Sequence, residues 1–344
     1  TKLKQQVNVQ LSQMQTSGFS ISNREITNEE EHFIISLDDP QKATVFFAQK
    51  GIRVEVEEAE ELKGLKVGVD VAYLSDTIAL ELYPVVLPTN LKTLLNQENN
   101  KNVSAQIDEM IKNKVFFTHI DVDHSATIFK GYVKDISETI KDEKEIHITL
   151  QGKQFSGEFK GERVTKFKQS LNELHLQMGD EIDRYVSGLE SNYELTGATT
   201  YDYTSDYSIE EIKIDEAPMA VLLANNISMH STSEVKDGLA SETFNIKIDD
   251  IDLLLEEEKI GMKTLLLDMN ISNLDVATLE KLQKTDPNNI KEYDALVETI
   301  VSNLIFSFLT SSETICDAKL RSSTLSGKLT ALKYFGLLKL PQLL

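Results

Sequence analysis

The segment LLLDMNISNLDVATLEKLQKTDPNN, from Leu265 to Asn289, contains a strand pattern that changes into a helix pattern. Alternation along a strand places its side chains on two opposite faces. One face takes Leu265, Leu267, Met269 and Ile271, and the other takes Asp268, Asn270 and Ser272. Asn273 or Asp275 can then cap a short helix, and Asp286-Pro287 is a typical start for a second one. The segment therefore predicts a junction at which a half-buried sheet becomes helical.

The second helix is predicted to run from Asp286 to Leu309. Its apolar residues recur at spacings of three and four, which places them on one helical face. They are Tyr293, Val297, Ile300, Val301, Leu304, Ile305 and Phe308. We expect this face to pack on the sheet.

Upstream of Leu265, strand patterns follow one another from Val115 without helices between them. Consecutive strands of this kind favour antiparallel pairing, and their alternation gives one buried and one polar face. No fixed period typical of propellers or solenoids is found, although successive hairpins have similar lengths.

The N-terminal part of the chain mixes helices with strands. An apolar stripe predicts a first helix that Gly18 ends, Asp39-Pro40 marks the start of another, and two more are predicted between Thr89 and Asn113. The fold class is therefore α+β, with a long curved, mainly antiparallel sheet and helices at the N-terminus, in the middle and near the C-terminus. Polar residues QENNKN suggest two regions, 1–114 and 115–344, the second ending in helices (275–309) and a tail.

Charge and composition exclude several classes of protein. With 35 Lys and Arg against 56 Asp and Glu, the net charge of −21 disfavours nucleic acid as a partner. The tail differs, because residues 318–344 contain five basic and no acidic residues. Cys316 is the single cysteine, which excludes an intramolecular disulfide. No apolar run is long enough to span a membrane.

The candidate metal ligands lie in HIDVDH, where strand geometry puts His119, Asp121 and Asp123 on one face. A calcium loop counted from Asp121 is excluded, because Ala126 and Tyr132 stand where glycine and a bidentate glutamate are required. Since no catalytic motif occurs, we expect neither an enzyme nor a cofactor, and a solvated polar face is the competing interpretation of HIDVDH.

Asn270 is a candidate for glycosylation. DMNIS has an acidic residue two positions before the asparagine and a serine two positions after it. The alternation of the strand points Asn270 to solvent, whereas glycan transfer favours a flexible loop.

Three segments resemble the YdgA-like family of bacterial cell-envelope proteins, whose function is unknown. They are TSGFSISNREI near the N-terminus, the strand, polar DG turn and return strand of NNISMHSTSEVKDGLASETFNIKIDDIDL, and the junction LLLDMNISNLDVATLEKL. The resemblance spans roughly residues 5 to 310. It implies an exported chain that lies in the periplasm, attached to the inner membrane through an N-terminal anchor outside this sequence.

Two functions are consistent with this pattern. The first is a non-enzymatic envelope protein that acts as a structural or protein-interaction platform, through a protein partner or self-association. The alternative is a carrier that binds a lipid or another apolar ligand on the apolar face of the sheet.

Overall fold

A computed structural model describes residues 2–49, 54, 56–97, 101–161, 163–216, 220–255, 258–284 and 315–326. Its six helices are α1 Lys2–Thr16, α2 Pro40–Gln49, α3 Val56–Glu61, α4 Thr89–Leu95, α5 Lys101–Lys112 and α6 Val276–Lys284. The first eight strands are β1 Phe19–Ile26, β2 Glu30–Leu37, β3 Lys66–Tyr73, β4 Thr77–Val86, β5 Thr118–Asp123, β6 Ile128–Val133, β7 Ile136–Ile140 and β8 Ile146–Gln151. The remaining strands are β9 Gln154–Lys160, β10 Arg163–Met178, β11 Ile182–Leu195, β12 Tyr203–Glu216, β13 Ala220–Lys236, β14 Leu239–Leu255, β15 Glu258–Asp275 and β16 Ile315–Ser326.

All described strands belong to one sheet, and every pair of neighbours is antiparallel. The main path runs from β1 to β6 and then from β9 to β16, while β7 and β8 form a side branch on β10. This confirms the predicted α+β class with a long antiparallel sheet. The sheet is continuous across the predicted boundary between residues 114 and 115, since β4 pairs with β5.

Two aspartates that the sequence predicts at the starts of helices do precede helices in the structure. Asp39 precedes α2, and its Oδ1 accepts a hydrogen bond from the Lys42 amide at 3.2 Å. Asp275 caps α6, because its Oδ2 accepts from the Thr278 amide at 2.9 Å. The predicted helix from Asp286 to Leu309 and the tail after Ser326 lie outside the described residues. The first part of the tail region is strand, since β16 pairs with β15.

Directly opposed residues of neighbouring strands share a face, so the register defines two continuous faces of the sheet. One row of the first, the apolar face, reads Ile78, Val122, Phe129, Gly157, Phe167, Tyr193, Ser205, Ser231, Phe244 and Met269 from β4 to β15. One row of the second, the polar face, reads Asp121, Lys130, Ser156, Lys168, Asn192, Asp206, His230, Asn245 and Asp268 from β5 to β15. The division into an apolar and a polar face thus extends across the molecule.

One row interrupts the pairing in all six long strands, and we call it the interruption row. It consists of Asn172, Gly188, Glu210, Asn226, Asp249 and Thr264, one from each of β10 to β15. Gly188, Asn226 and Thr264 have positive φ angles of 62°, 50° and 50°. These left-handed residues occur on every second strand.

In the strands that contain it, the interruption row shifts which residues lie on each face of the sheet. Val186 and Leu189, three residues apart, pack in one apolar cluster, and so do Ile209 and Ile212. A regular strand would place residues three apart on opposite faces. The shift keeps the apolar face apolar on both sides of the row, in the way that a β-bulge re-aims side chains.

The six long strands form a repeat of three hairpins. The left-handed positions 188, 226 and 264 each follow the one before by 38 residues. The segments SLNELHL, SIEEIKI and KIDDIDL occupy equivalent positions on β10, β12 and β14. Equivalent positions of these hairpins therefore recur every 38 or 39 residues in this part of the structure.

Helices cover the apolar face at one end and at the side branch. Leu11 of α1 packs against Phe33, Val69 and Val71 of β2 and β3. Helices α4 and α5 pack on β7 and β8 through a second cluster that includes Met110 and Ile140. Helix α2 also contacts α6, and because α2 follows β2 while α6 follows β15, this contact brings distant parts of the sheet together and shows that it curves.

Candidate functional site

The apolar face of β10–β15 is the candidate functional site. On one side of the interruption row its rows are aliphatic, and we call this part the aliphatic half. Two of its rows read Leu174, Val186, Ile212, Ala224, Ile251 and Met262, and Leu176, Arg184, Ile214, Leu222, Leu253 and Ile260. Arg184 donates to Glu216 at the rim of the face.

The aliphatic half is continuous with an apolar surface on β8 that helices cover. Ile148 of β8 lies opposite Leu176, and Ile148 packs under α5 in the cluster with Met110. Beyond β8, Leu174 is 40% exposed, and Leu176, Ile214 and Leu222 are partly exposed. Ala224 and Leu253 of these rows are buried, so the exposure is uneven. An apolar surface that helices cover at β8 and that is partly exposed at Leu174, Ile214 and Leu222 is typical of a binding surface.

On the other side of the interruption row, the same face carries hydroxyl groups, and we call this part the hydroxyl half. Its hydroxyl residues on β11 to β13 are Ser191, Tyr193, Tyr203, Ser205, Tyr207, Ser231 and Ser233. The rings of Tyr193 and Tyr203 lie 5.7 Å apart between centroids, and Ser231 is 3% exposed.

A partly buried acid, Glu242, belongs to the hydroxyl half. The Tyr203 hydroxyl donates to Glu242 Oε1. Burial is the main cause that raises the pKa of the Glu242 carboxyl, with the Tyr203 hydrogen bond opposing it. Burial, followed by the contact with Glu242, also raises the pKa of the Tyr203 phenol. These two groups satisfy each other within an otherwise uncharged surface.

Tyr207 lies where the two halves meet. Its ring packs with Leu171, Leu189 and Ile209 of the buried aliphatic cluster. Its hydroxyl oxygen is buried and has no hydrogen-bond partner. Burial raises the pKa of this phenol to about 12, so the group is a neutral donor at physiological pH.

The polar face carries a chain of open cavities. One of them has a volume of about 620 Å³ and is lined by charged residues that include Asp121, Lys130, Lys168 and Glu190. Glu190 also lines two further cavities, of about 560 and 310 Å³, that extend this groove towards β15. The groove offers both signs of charge to a polar partner.

The structure does not assemble the predicted metal ligands. His119 Nε2 lies 3.2 Å from Asp121 Oδ1, and both residues line the cavity of about 620 Å³. The Asp123 carboxylate instead accepts hydrogen bonds from the amides of Thr127 and Ile128, each at 2.6 Å, and closes the turn after β5. Contacts within this turn, chiefly from Ser125 and then from Ile128, lower the pKa of Asp123. Within the described ranges, no group of three or more His, Cys, Asp or Glu is placed to hold a metal ion.

Several other histidines form pairs with aspartates of a neighbouring strand. His175 Nε2 and His230 Nδ1 each lie 2.7 Å from an aspartate oxygen, of Asp183 and Asp206 respectively. The single histidines of these strands are therefore explained as cross-strand contacts of the sheet.

A larger polar network surrounds Asp70 on β3. His32 Nδ1 lies 2.6 Å from Asp70 Oδ1, and the Tyr83 hydroxyl donates to Oδ2 at 2.9 Å. Lys114 Nζ donates to the same oxygen at 3.2 Å and lies 3.6 Å from the centroid of the Tyr83 ring. Burial raises the pKa of Asp70, but the three hydrogen bonds outweigh it and lower the pKa overall.

Asn270 is exposed, as the alternation predicts, but it lies inside a paired strand. Thr243 of β14 and Asp317 of β16 are its neighbours in register. This environment differs from the flexible loop that glycan transfer favours.

The sequence interpretation missed the hydroxyl half of the apolar face. Tyrosine and serine alternate with charged residues there, so the pattern indicated strands but gave no reason to group the hydroxyls. The sequence did contain one indication of this grouping. Apolar residues three apart across the interruption row show which side chains of each strand lie on the apolar face.

Comparisons with known proteins give one match. The model of a family described as a bacterial protein of unknown function, DUF945, matches residues 94–296. No curated protein and no solved structure matches the chain. None of the helices in the described ranges is both long enough and apolar enough to cross a membrane.

Proposed function

Because the chain belongs to this bacterial family of unknown function, we propose a function from its geometry: the protein is a non-enzymatic carrier of an apolar ligand. The ligand binds on the aliphatic half of the apolar face. The observation that carries this proposal is the continuity of that surface, which α5 covers at β8 and of which Leu174, Leu176, Ile214 and Leu222 stay partly exposed.

The dimensions of the aliphatic half suit a long acyl chain. From β10 to β15 there are five gaps between strands, which at about 4.8 Å each span about 24 Å. Burial of each CH₂ group contributes about 0.8 kcal/mol, so ten such groups supply roughly 8 kcal/mol before the cost of association. This gain is available to an acyl chain that lies across the strands or along them, and it is opposed by the cost of association, about 4–15 kcal/mol.

Two leucines with equal exposure on opposite faces provide the test. Leu174 lies on the apolar face and is 40% exposed, whereas Leu254 lies on the opposite face of β14 and is 39% exposed. Leu174→Asp places a charge against the ligand and should weaken binding of a fluorescent long-chain probe at least tenfold. Leu254→Asp introduces the same charge elsewhere and should leave binding unchanged. Equal affinities of the two variants, or a wild-type protein that binds no probe and carries no lipid by native mass spectrometry, would reject the carrier.

A platform for protein partners is the second candidate, and the polar groove favours it. Lys168 is exposed in this groove, together with Glu190. If the groove binds a partner, Lys168→Glu should remove cross-links to that partner in intact cells, while Leu174→Asp should retain them. Cross-links that persist in Lys168→Glu would reject the groove as the site for the partner.

The resemblance to the YdgA-like family supports a proposed location in the periplasm, attached to the inner membrane. Fractionation of cells that express the full-length protein tests this location. Recovery in the cytoplasmic fraction would reject it.

A further inference from the structure

We infer that the hydroxyl half of the apolar face binds the headgroup of an uncharged amphiphile, whose acyl chain lies on the aliphatic half. This inference rests on the proposed carrier function and names the chemistry of the ligand. Its basis is the juxtaposition, on one face of the sheet, of a row of hydroxyl groups and a set of aliphatic rows.

The unpaired hydroxyl of Tyr207 marks the junction between headgroup and chain. A buried hydroxyl without a partner is unfavourable, because it has lost its hydrogen bond to water and gained none in return. Tyr207 packs on the aliphatic cluster of Leu171 and Ile209, and its register neighbours are Ser191 and Met229. Because this hydroxyl is closed to solvent, a ligand reaches it only when neighbouring side chains move apart, and an ester or hydroxyl oxygen of the ligand would then accept the missing hydrogen bond.

The charges of the site select an uncharged headgroup. Glu242, the acidic group within the hydroxyl half, is already paired with Tyr203. The protein has a net charge of −21, which disfavours fatty-acid anions and acidic phospholipids. Hydroxyl side chains such as Ser191 and Ser205 suit the oxygens of a glycerol ester.

The distance along the strand is sufficient for the acyl chain. Tyr207 and Ile214 both lie on the apolar face of β12, one on each side of the interruption row. Seven residues of strand advance about 23 Å. An acyl chain anchored at Tyr207 can therefore run along β12 over Ile212 and Ile214.

Tyr207→Phe removes the hydroxyl and keeps the ring, and binding is measured by calorimetric titration with 1-oleoylglycerol, oleate and 1-octadecene. We expect wild type to bind the glycerol ester more tightly than oleate, and Tyr207→Phe to bind the glycerol ester about fivefold more weakly. Binding of 1-octadecene should not change, because it has no headgroup. Tyr132→Phe, on the polar face and 45% exposed, is the matched control and should bind all three ligands like wild type.

The outcomes separate this inference from the carrier function. If Tyr207→Phe binds 1-oleoylglycerol as tightly as wild type, or if oleate binds as tightly as the ester, the headgroup site is rejected while the carrier remains. If wild type binds none of the three ligands, the carrier is rejected as well. Ser191→Ala, directly opposite Tyr207, is the second variant and should also weaken binding of the ester alone; unchanged affinity would count against the site.

Discussion

Gly188→Ala tests whether the interruption row is a structural requirement of the sheet. Gly188 has a φ of 62°, and a Cβ atom at this position would lie 2.2 Å from Cγ of Glu210. The left-handed conformation costs a residue with a Cβ atom about 1–2 kcal/mol. Displacement of the Glu210 side chain adds a repacking cost of about 1–3 kcal/mol. We therefore expect a loss of about 2–5 kcal/mol in the free energy of unfolding.

Gly161 is the matched control for this substitution. Its φ is 67°, but a Cβ atom there would meet no atom within 4 Å. Gly161→Ala should therefore lose only the conformational part, about 1–2 kcal/mol. The difference between the two variants isolates the contact with Glu210.

Urea unfolding, followed by circular dichroism, measures both variants and the double variant Gly188→Ala/Glu210→Ala. Removal of the Glu210 side chain should restore most of the additional loss, so that the double variant approaches Gly161→Ala. Equal stability of Gly188→Ala and Gly161→Ala would refute the reasoning, and so would a double variant no more stable than Gly188→Ala.

Three further predictions concern strain, a buried ion pair and pH. Thr264 is β-branched with a φ of 50°, so Thr264→Gly should raise the free energy of unfolding by about 0.5–1 kcal/mol, and a lower urea midpoint would contradict this. Arg24 Nε lies 2.6 Å from Glu31, whose side chain is 1% exposed; Arg24→Met should cost about 2–3 kcal/mol in urea unfolding, and an unchanged midpoint would show that the pair is unimportant. The folded pKa of Asp70 is below 3.8, so its contribution to stability is present above about pH 3.8 and is lost as the pH falls through the folded value. Asp70→Asn should therefore lose less stability between pH 7 and pH 3 than wild type does, and equal losses would exclude Asp70 as a source of this pH dependence.

The sequence predicted the type of element well, but it predicted the strands of the long sheet too short. Alternation by itself marks only short segments such as NELHLQMG, NYELTG and IEEIKID, whereas β10, β11 and β12 have 16, 14 and 14 residues. The reason is the shift at the interruption row, because apolar residues three apart break the period of two. Alternation remains a sound guide on each side of the row but does not identify the two sides as one strand.

The side chains predicted to bind a metal show a different limit of sequence reasoning. Spacing placed His119, Asp121 and Asp123 on one face of β5, but spacing does not show hydrogen bonds. Asp123 accepts its hydrogen bonds from the turn that follows β5, which the sequence did not reveal.

By itself, the sequence determined the antiparallel sheet, its division into an apolar and a polar face, and the junction from strand to helix at Asp275. These features follow from side-chain period and capping, which are local properties of the chain. Only the tertiary structure decided the register, and through it the interruption row and the meeting of Tyr207, Ser191 and Ile209 on one surface. Register is set by pairing between residues far apart in the chain, so the grouping of hydroxyl and aliphatic side chains exists only once the strands are paired.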